Sequence, residues 1–147
     1  MPVVTTRLAL VRTARWRPEY ELREGGRPLG RLLWGGTTPG VAEATVGDRV
    51  WTLRPGIGCA AVDATAADGR IGASLRDGAI TLGDDPRPAV VWRRNRTKGT
   101  CAELEAPGCT ATMRVRRRTV PGFDVAIDGD LVERELLLLL AGYDLLR

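Results

Sequence analysis

The last seventeen residues, Leu131–Arg147, constrain the fold more than any other stretch of the chain. Eleven of them are apolar, and Leu136–Ala141 is an unbroken apolar run. At about 100° per residue, six consecutive apolar residues cover every side of a helix. Such a helix must be buried on all sides. Because the preceding chain has the pattern of β-strands, we predict that a sheet closed into a barrel buries it.

We expect the helix to span about residues 131–146. Asp130 is a suitable N-cap, and Glu133 three residues later completes a capping-box pattern. The main alternative is a membrane-spanning helix. Seventeen residues rise only roughly 25 Å, the purely apolar part is shorter than the roughly 20 residues a bilayer needs, and Asp144 would lie inside the span. The sequence therefore favours a buried helix and no transmembrane segment.

The first 128 residues alternate apolar and polar positions in short runs, the period of half-buried antiparallel strands. Ala111, Met113 and Val115, for example, alternate with Thr112 and Arg114. Turn signals separate about twelve such runs between residues 5 and 128. Consecutive, tightly connected strands favour up-and-down pairing. We therefore predict one mainly β domain over residues 1–147, a closed antiparallel barrel of about twelve strands that encloses the C-terminal helix.

Small residues on the predicted inner face of the strands would leave room for that helix. They are Ala42, Ala44, Ala60, Ala73 and Ala111. The four tryptophans are interpreted as residues of the core or of the barrel rim.

The chain lacks the residue types of common catalytic sites. It has no histidine, one serine (Ser74), and neither a Walker A nor a complete dinucleotide-binding glycine pattern. Its three cysteines, Cys59, Cys101 and Cys109, have no C-x-x-C spacing, so neither a zinc site nor a disulfide framework is expected. We expect the thiols to be free. A hairpin that places Cys101 opposite Cys109 remains an alternative. We predict a protein without catalytic activity, metal or cofactor.

The N-terminal sequence indicates the compartment. Arg7 and Arg12 interrupt it before any apolar run of signal-peptide length. We therefore expect a cytoplasmic protein.

Positive charge is concentrated in one segment, Arg87–Arg118, which holds nine basic and two acidic residues. Its net charge of +7 exceeds the +4 of the whole chain. Arginine binds phosphate oxygens in a bidentate manner, so this segment is a candidate site for the phosphate of a lipid headgroup. The candidate contacts are Arg93, Arg94, Arg96, Lys98, Arg114, Arg116 and Arg118. The alternative is a solvated barrel face paired with Glu103 and Glu105. Nucleic acid is disfavoured, because no aromatic residues are interleaved with the arginines.

Two stretches, Tyr20–Trp34 and Asp128–Leu146, carry a resemblance to a known family. With about twelve strands before one very hydrophobic helix, the chain resembles the tubby C-terminal-domain-like superfamily, in particular small bacterial members of the LURP-one-related and phospholipid scramblase-like type. The resemblance implies a helix through the centre of a twelve-stranded barrel, and phosphoinositide binding through basic surface residues. It also implies a location at the periphery of a membrane.

The chain departs from the family pattern in several respects. It has one lysine, no cysteine run suited to palmitoylation and no appended proline-rich region. No family activity therefore carries over residue by residue, and a fold alone does not assign function. The alternative function is a protein-interaction or structural barrel without lipid activity.

Overall fold

A computed structural model describes residues 4–14, 16–35, 40–56, 61–95, 101–115 and 121–146. These residues form twelve strands and one helix. In chain order they are β1 Thr5–Arg12, β2 Glu19–Glu24, β3 Arg27–Trp34, β4 Ala42–Val46, β5 Arg49–Pro55, β6 Val62–Ala66, β7 Ile71–Arg76, β8 Ala79–Leu82, β9 Val90–Asn95, β10 Cys101–Ala106, β11 Cys109–Val115, β12 Gly122–Asp128 and α1 Arg134–Leu146.

The strands form a closed antiparallel barrel. Each strand pairs with its neighbours in the chain, and β1 pairs with β12 to close the ring. At this closure Leu8 lies opposite Val125, and Leu10 lies opposite Phe123. Closure gives each of the twelve described strands a neighbour on both sides. The predicted barrel of about twelve strands is confirmed.

Alternation along the strands separates a buried inner face from an exposed outer face. Ala42, Ala44, Ala73 and Ala111 are at most 2% exposed, as the period-2 pattern predicts. Ala60, the fifth alanine of that prediction, lies outside the described residues. Short side chains at these positions leave interior space that the leucines of α1 fill.

Helix α1 is buried along almost its whole length, and residues 136–144 all lie in the interior. It makes close contact with β1 and β3, the two neighbours of β2 in the ring. A Cβ atom at Gly142 would lie 2.5 Å from a methyl group of Leu10 in β1, so only glycine fits there without a shift. Further along, Leu139 packs against Gly30 in β3. The helix therefore packs its leucines against the buried residues of the strands.

The start of the helix differs from the prediction. The helix begins at Arg134, not near 131, so Asp130 is too far away to cap it. The intervening residues have other contacts: Leu131 is buried, and the carboxylate of Glu133 lies 3.1 Å from the guanidinium of Arg49. Glu133 also has a positive φ of 51°, which a capping-box glutamate inside the helix would not adopt.

The hairpin of β10 and β11 keeps its two cysteines apart. Cys101 lies opposite Arg114 and Cys109 lies opposite Ala106, so they occupy different ends of the hairpin. Both thiols are free, which rules out the alternative of a bridge between them. Burial raises the pKa of the Cys109 thiol, and the nearby acidic residues at positions 128 and 130 raise it further. Cys59 lies outside the described residues.

Candidate anion-binding site

The two ends of the barrel differ in the charge of their connecting segments. The odd-numbered strands finish at one end, and their even-numbered neighbours begin there. Segments 13–18, 35–41, 56–61, 77–78, 96–100 and 116–121 connect strands at this end. They contain seven basic residues and one acidic residue. We call this the basic end.

The opposite end carries the opposite charge. Its connecting segments are 25–26, 47–48, 67–70, 83–89, 107–108 and 129–133. They contain two basic and six acidic residues. We call this the acidic end. Six of the seven basic residues counted for the basic end, at positions 15, 96, 98, 116, 117 and 118, lie outside the described residues, so both names describe the sequence of the connecting segments.

Arg94, one of the predicted phosphate contacts, faces the end of the helix. It follows Trp92 by two residues in β9, so alternation places both side chains on the inner face. The Trp92 indole donates a 2.8 Å hydrogen bond to Oδ2 of Asp144 in α1, and Nη1 of Arg94 lies 3.6 Å from the same oxygen. Asp144 is 5% exposed. Arg94 and Trp92 together hold the last turn of the helix at the basic end.

Replacing Asp144 with alanine should lower the free energy of unfolding by about 1–3 kcal/mol, the usual cost of leaving a buried donor without its acceptor. The effect should be smaller in a Trp92→Phe background, which lacks that donor. Urea unfolding of the four proteins of this double-mutant cycle measures the coupling. Additive losses would mean that the hydrogen bond contributes nothing.

Arg93, the next predicted contact, lies on the outer face and is already paired. Its Nη1 lies 2.7 Å from Oε2 of Glu105, and Glu103 is directly opposite it in the register. Strand β10 thus places two carboxylates between β9 and β11. Two interpretations of the arginine-rich segment followed from the sequence, a phosphate site and a solvated barrel face paired with acidic residues. At Arg93 the structure agrees with the second.

Arg114 has a different environment. It borders an open groove of about 300 Å³ on the outer face of β11, β12 and β1. In the register, Ala126 at its centre lies between Arg7 and Thr112, while Asp124 lies opposite Arg114. Among the described residues, neither Arg7 nor Arg114 has an ion-pair partner. The groove therefore holds two guanidinium groups that form no ion pair within the described residues, together with a threonine hydroxyl and the carboxylate of Asp124. Guanidinium and hydroxyl donors suit a phosphate group.

Arg7 was not among the predicted contacts. It is about 107 residues from Arg114 in the sequence, and only the closing pair of β1 and β12 brings the two strands within one strand of each other. A sequence signal existed, because Arg7 alternates with apolar neighbours and therefore faces outward. Its partner strand could not be read from the sequence.

The other predicted contacts, Arg96, Lys98, Arg116 and Arg118, lie outside the described residues. Arg87, which begins the basic segment of the sequence, lies in a connection of the acidic end. There it forms a 3.1 Å ion pair with Asp85. This hydrogen-bonded guanidinium lowers the pKa of the Asp85 carboxyl, and the carboxylate in turn raises the pKa of Arg87. The basic segment of the sequence is therefore not one continuous patch.

The single serine of the chain is engaged in the wall of the barrel. Ser74 is 8% exposed and donates a 2.8 Å hydrogen bond to Oδ1 of Asp63. The guanidinium of Arg76 lies 3.2 Å from both carboxylate oxygens of Asp63. Two donors from β7 thus orient the carboxylate of Asp63 in β6 and link the two strands through their side chains. Within the described ranges, no group of three or more metal-binding side chains is arranged to hold an ion.

The chain matches no family model, no curated protein and no solved structure. Over the part of the chain that the structure describes, no helix is both long and apolar enough to cross a membrane.

Proposed function

We propose that this protein is a non-enzymatic module that binds anionic phospholipid headgroups, phosphoinositides in particular. The observation that carries the proposal is the groove in which Arg7 and Arg114 lack ion-pair partners among the described residues. Phosphate oxygens accept hydrogen bonds from both guanidinium groups at once, which a single surface arginine cannot supply. The resemblance to tubby-like and scramblase-like proteins points to the same ligand class.

The charge of the connecting segments in the sequence supports association with a membrane surface. Arg114 is the second-last residue of β11, so the groove extends toward the basic end. An anionic leaflet attracts each nearby arginine by about 1 kcal/mol. In this proposal the protein is peripheral to the membrane, and the paired residues Arg93 and Arg94 contribute less than their position in the sequence suggests.

Replacing Arg7 and Arg114 with alanine should weaken binding to phosphoinositide-containing vesicles. At about 1 kcal/mol per arginine, each single change should cost roughly fivefold in affinity and the pair roughly 25-fold. Co-sedimentation with phosphatidylcholine vesicles, with and without a phosphatidylinositol bisphosphate, measures this. Wild-type binding should require the anionic lipid and should weaken at high salt, which screens exposed charges.

The matched control is Arg70→Ala, which removes one positive charge at the acidic end, where Arg70 pairs with Asp68. It should bind like the wild type. If Arg70→Ala lost as much vesicle affinity as Arg7→Ala or Arg114→Ala, the loss would come from the net charge of the protein and not from the groove. Absence of wild-type binding to either vesicle would refute the proposal and favour a protein-interaction barrel. A soluble inositol phosphate added as competitor distinguishes recognition of the headgroup from attraction to any anionic surface.

A further inference from the structure

The segment between β12 and α1 reaches across the mouth of the barrel at the acidic end. It runs from Gly129 to Glu133, and we call it the strap. Its first residue directly follows β12. The carboxylate of its last residue, Glu133, accepts a 3.1 Å hydrogen bond from Nη2 of Arg49 in β5. Because β5 is five strands away from β12 in the ring, the strap extends from one side of the mouth toward another.

A series of contacts leads from the strap into the barrel. The guanidinium of Arg49, which Glu133 binds, lies 5.8 Å from the centre of the Trp51 ring. The same ring packs against the backbone of β7, where a Cβ atom at Gly72 would lie 2.3 Å from it. The cover over Trp51 therefore depends on the position of Arg49, which in turn depends on the strap.

Two features of this closed arrangement are unfavourable. Glu133 has a φ of 51°, in the left-handed region that a glutamate rarely adopts. The indole nitrogen of Trp51 is buried and has no hydrogen-bond partner within the described ranges. Both features cost free energy, because the first is strained backbone and the second is a donor removed from water without a replacement. Opening of the strap relieves both, since the backbone at Glu133 becomes free to rotate and water reaches the indole.

Few contacts hold the strap closed. The side chains of Glu133 and Arg49 are 37% and 50% exposed, so their ion pair is weak and is screened by salt. Of the five strap residues, Leu131 alone is buried. An open cleft of about 390 Å³, lined in part by Thr6 in β1 and Arg134 in α1, borders the strap. The strap therefore has space into which it can move.

We propose that the strap is a gate, which opens while the barrel stays folded and admits water and small solutes to the interior beside Trp51. The opening step is the release of Glu133 from Arg49, which frees the guanidinium from the ring and leaves the strands and the helix in place. Because this ion pair is exposed, ionic strength regulates the gate. The inference is independent of lipid binding, since the groove of Arg7 and Arg114 lies on the outer wall.

Hydrogen exchange of the Trp51 indole N–H, followed by NMR at low urea concentrations, tests the gate. Its rate should be independent of urea, whereas the slowest backbone amides of the core strands should exchange faster as urea increases, because they require global unfolding. Glu133→Gln removes the charge with little change of size and should speed the indole exchange roughly two- to fivefold. High salt should speed the exchange in the wild type but not in this variant.

The matched control is Asp85→Asn, which breaks an exposed ion pair with Arg87 in the connection between β8 and β9, also at the acidic end. It should leave the Trp51 indole exchange unchanged. Acceleration by this control as large as that by Glu133→Gln, or no acceleration by either, would overturn the role of the ion pair. An indole N–H of Trp51 that exchanges only together with the core amides as urea increases would refute the gate itself.

Discussion

A chain that ends at Gly129, without helix α1, should not form the barrel. The helix supplies five consecutive leucines, Leu136–Leu140, each at most 1% exposed, together with the fully buried Tyr143. Truncating one buried leucine to alanine typically costs about 2–5 kcal/mol. Losing several exceeds the about 5–15 kcal/mol by which ordinary domains are stable. Circular dichroism and the dispersion of a two-dimensional NMR spectrum measure whether the truncated chain folds.

Single substitutions in the full-length chain show whether the loss comes from the core. Leu139→Ala should remain folded and be less stable by about 2–5 kcal/mol. Val132→Ala, just before the helix and exposed, should change stability by less than about 0.5 kcal/mol. Cooperative unfolding of the truncated chain, with native-like chemical shifts, would contradict a barrel built around its helix.

The fold class follows from the sequence because local patterns determine each element. The period-2 alternation of Ala111 and Met113 with Thr112 and Arg114 gives a strand with one buried face, whatever its partners are. A run of apolar residues that covers every side of a helix requires a surrounding structure. Those two requirements leave few architectures other than a closed barrel.

The connection between β12 and the helix shows where local patterns stop being sufficient. Asp130 and Glu133 fit a capping box in sequence, but the pairing of Glu133 with Arg49 and the burial of Leu131 compete with it. Arg49 is about 84 residues away in the chain. Long-range contacts of this kind override a local preference of about 1 kcal/mol.

The candidate site could be predicted only in part for the same reason. Arg114 was found from its charge and alternation, whereas Arg7 joins it only through the pairing of β1 with β12. Arg93 and Arg94 were predicted together as phosphate contacts, although alternation places them on opposite faces, where one pairs with Glu105 and the other with Asp144. Of the tryptophans interpreted as core or rim residues, Trp92 is 5% exposed, whereas Trp16, in the connection between β1 and β2, is 91% exposed. Net charge of a segment cannot reveal which arginines are already compensated.

Replacing Gly129 with alanine should destabilise the protein by several kcal/mol. Gly129 has a φ of +98°, which L-residues rarely adopt, and a Cβ atom there would lie 2.2 Å from the carbonyl oxygen of Gly108. The neighbour is backbone in the turn between β10 and β11, so it cannot move aside as a side-chain tip could. Conformational strain of about 1–3 kcal/mol therefore adds to an overpacking cost of about 1–3 kcal/mol. The free energy of unfolding in urea measures the sum.

Gly69→Ala separates the two contributions. Gly69 has a similar φ of +88° in the turn between β6 and β7, but no atom lies within 4 Å of the position its Cβ would take. It should cost only the conformational strain, so Gly129→Ala should be the more damaging of the two by about 1–3 kcal/mol. The difference measures how tightly the segment that leads into α1 is held against the rim of the acidic end. Equal losses of stability in the two variants would mean that the backbone of Gly108 moves away from the new Cβ at no energetic cost. The position of the helix would then be determined by its buried leucines alone.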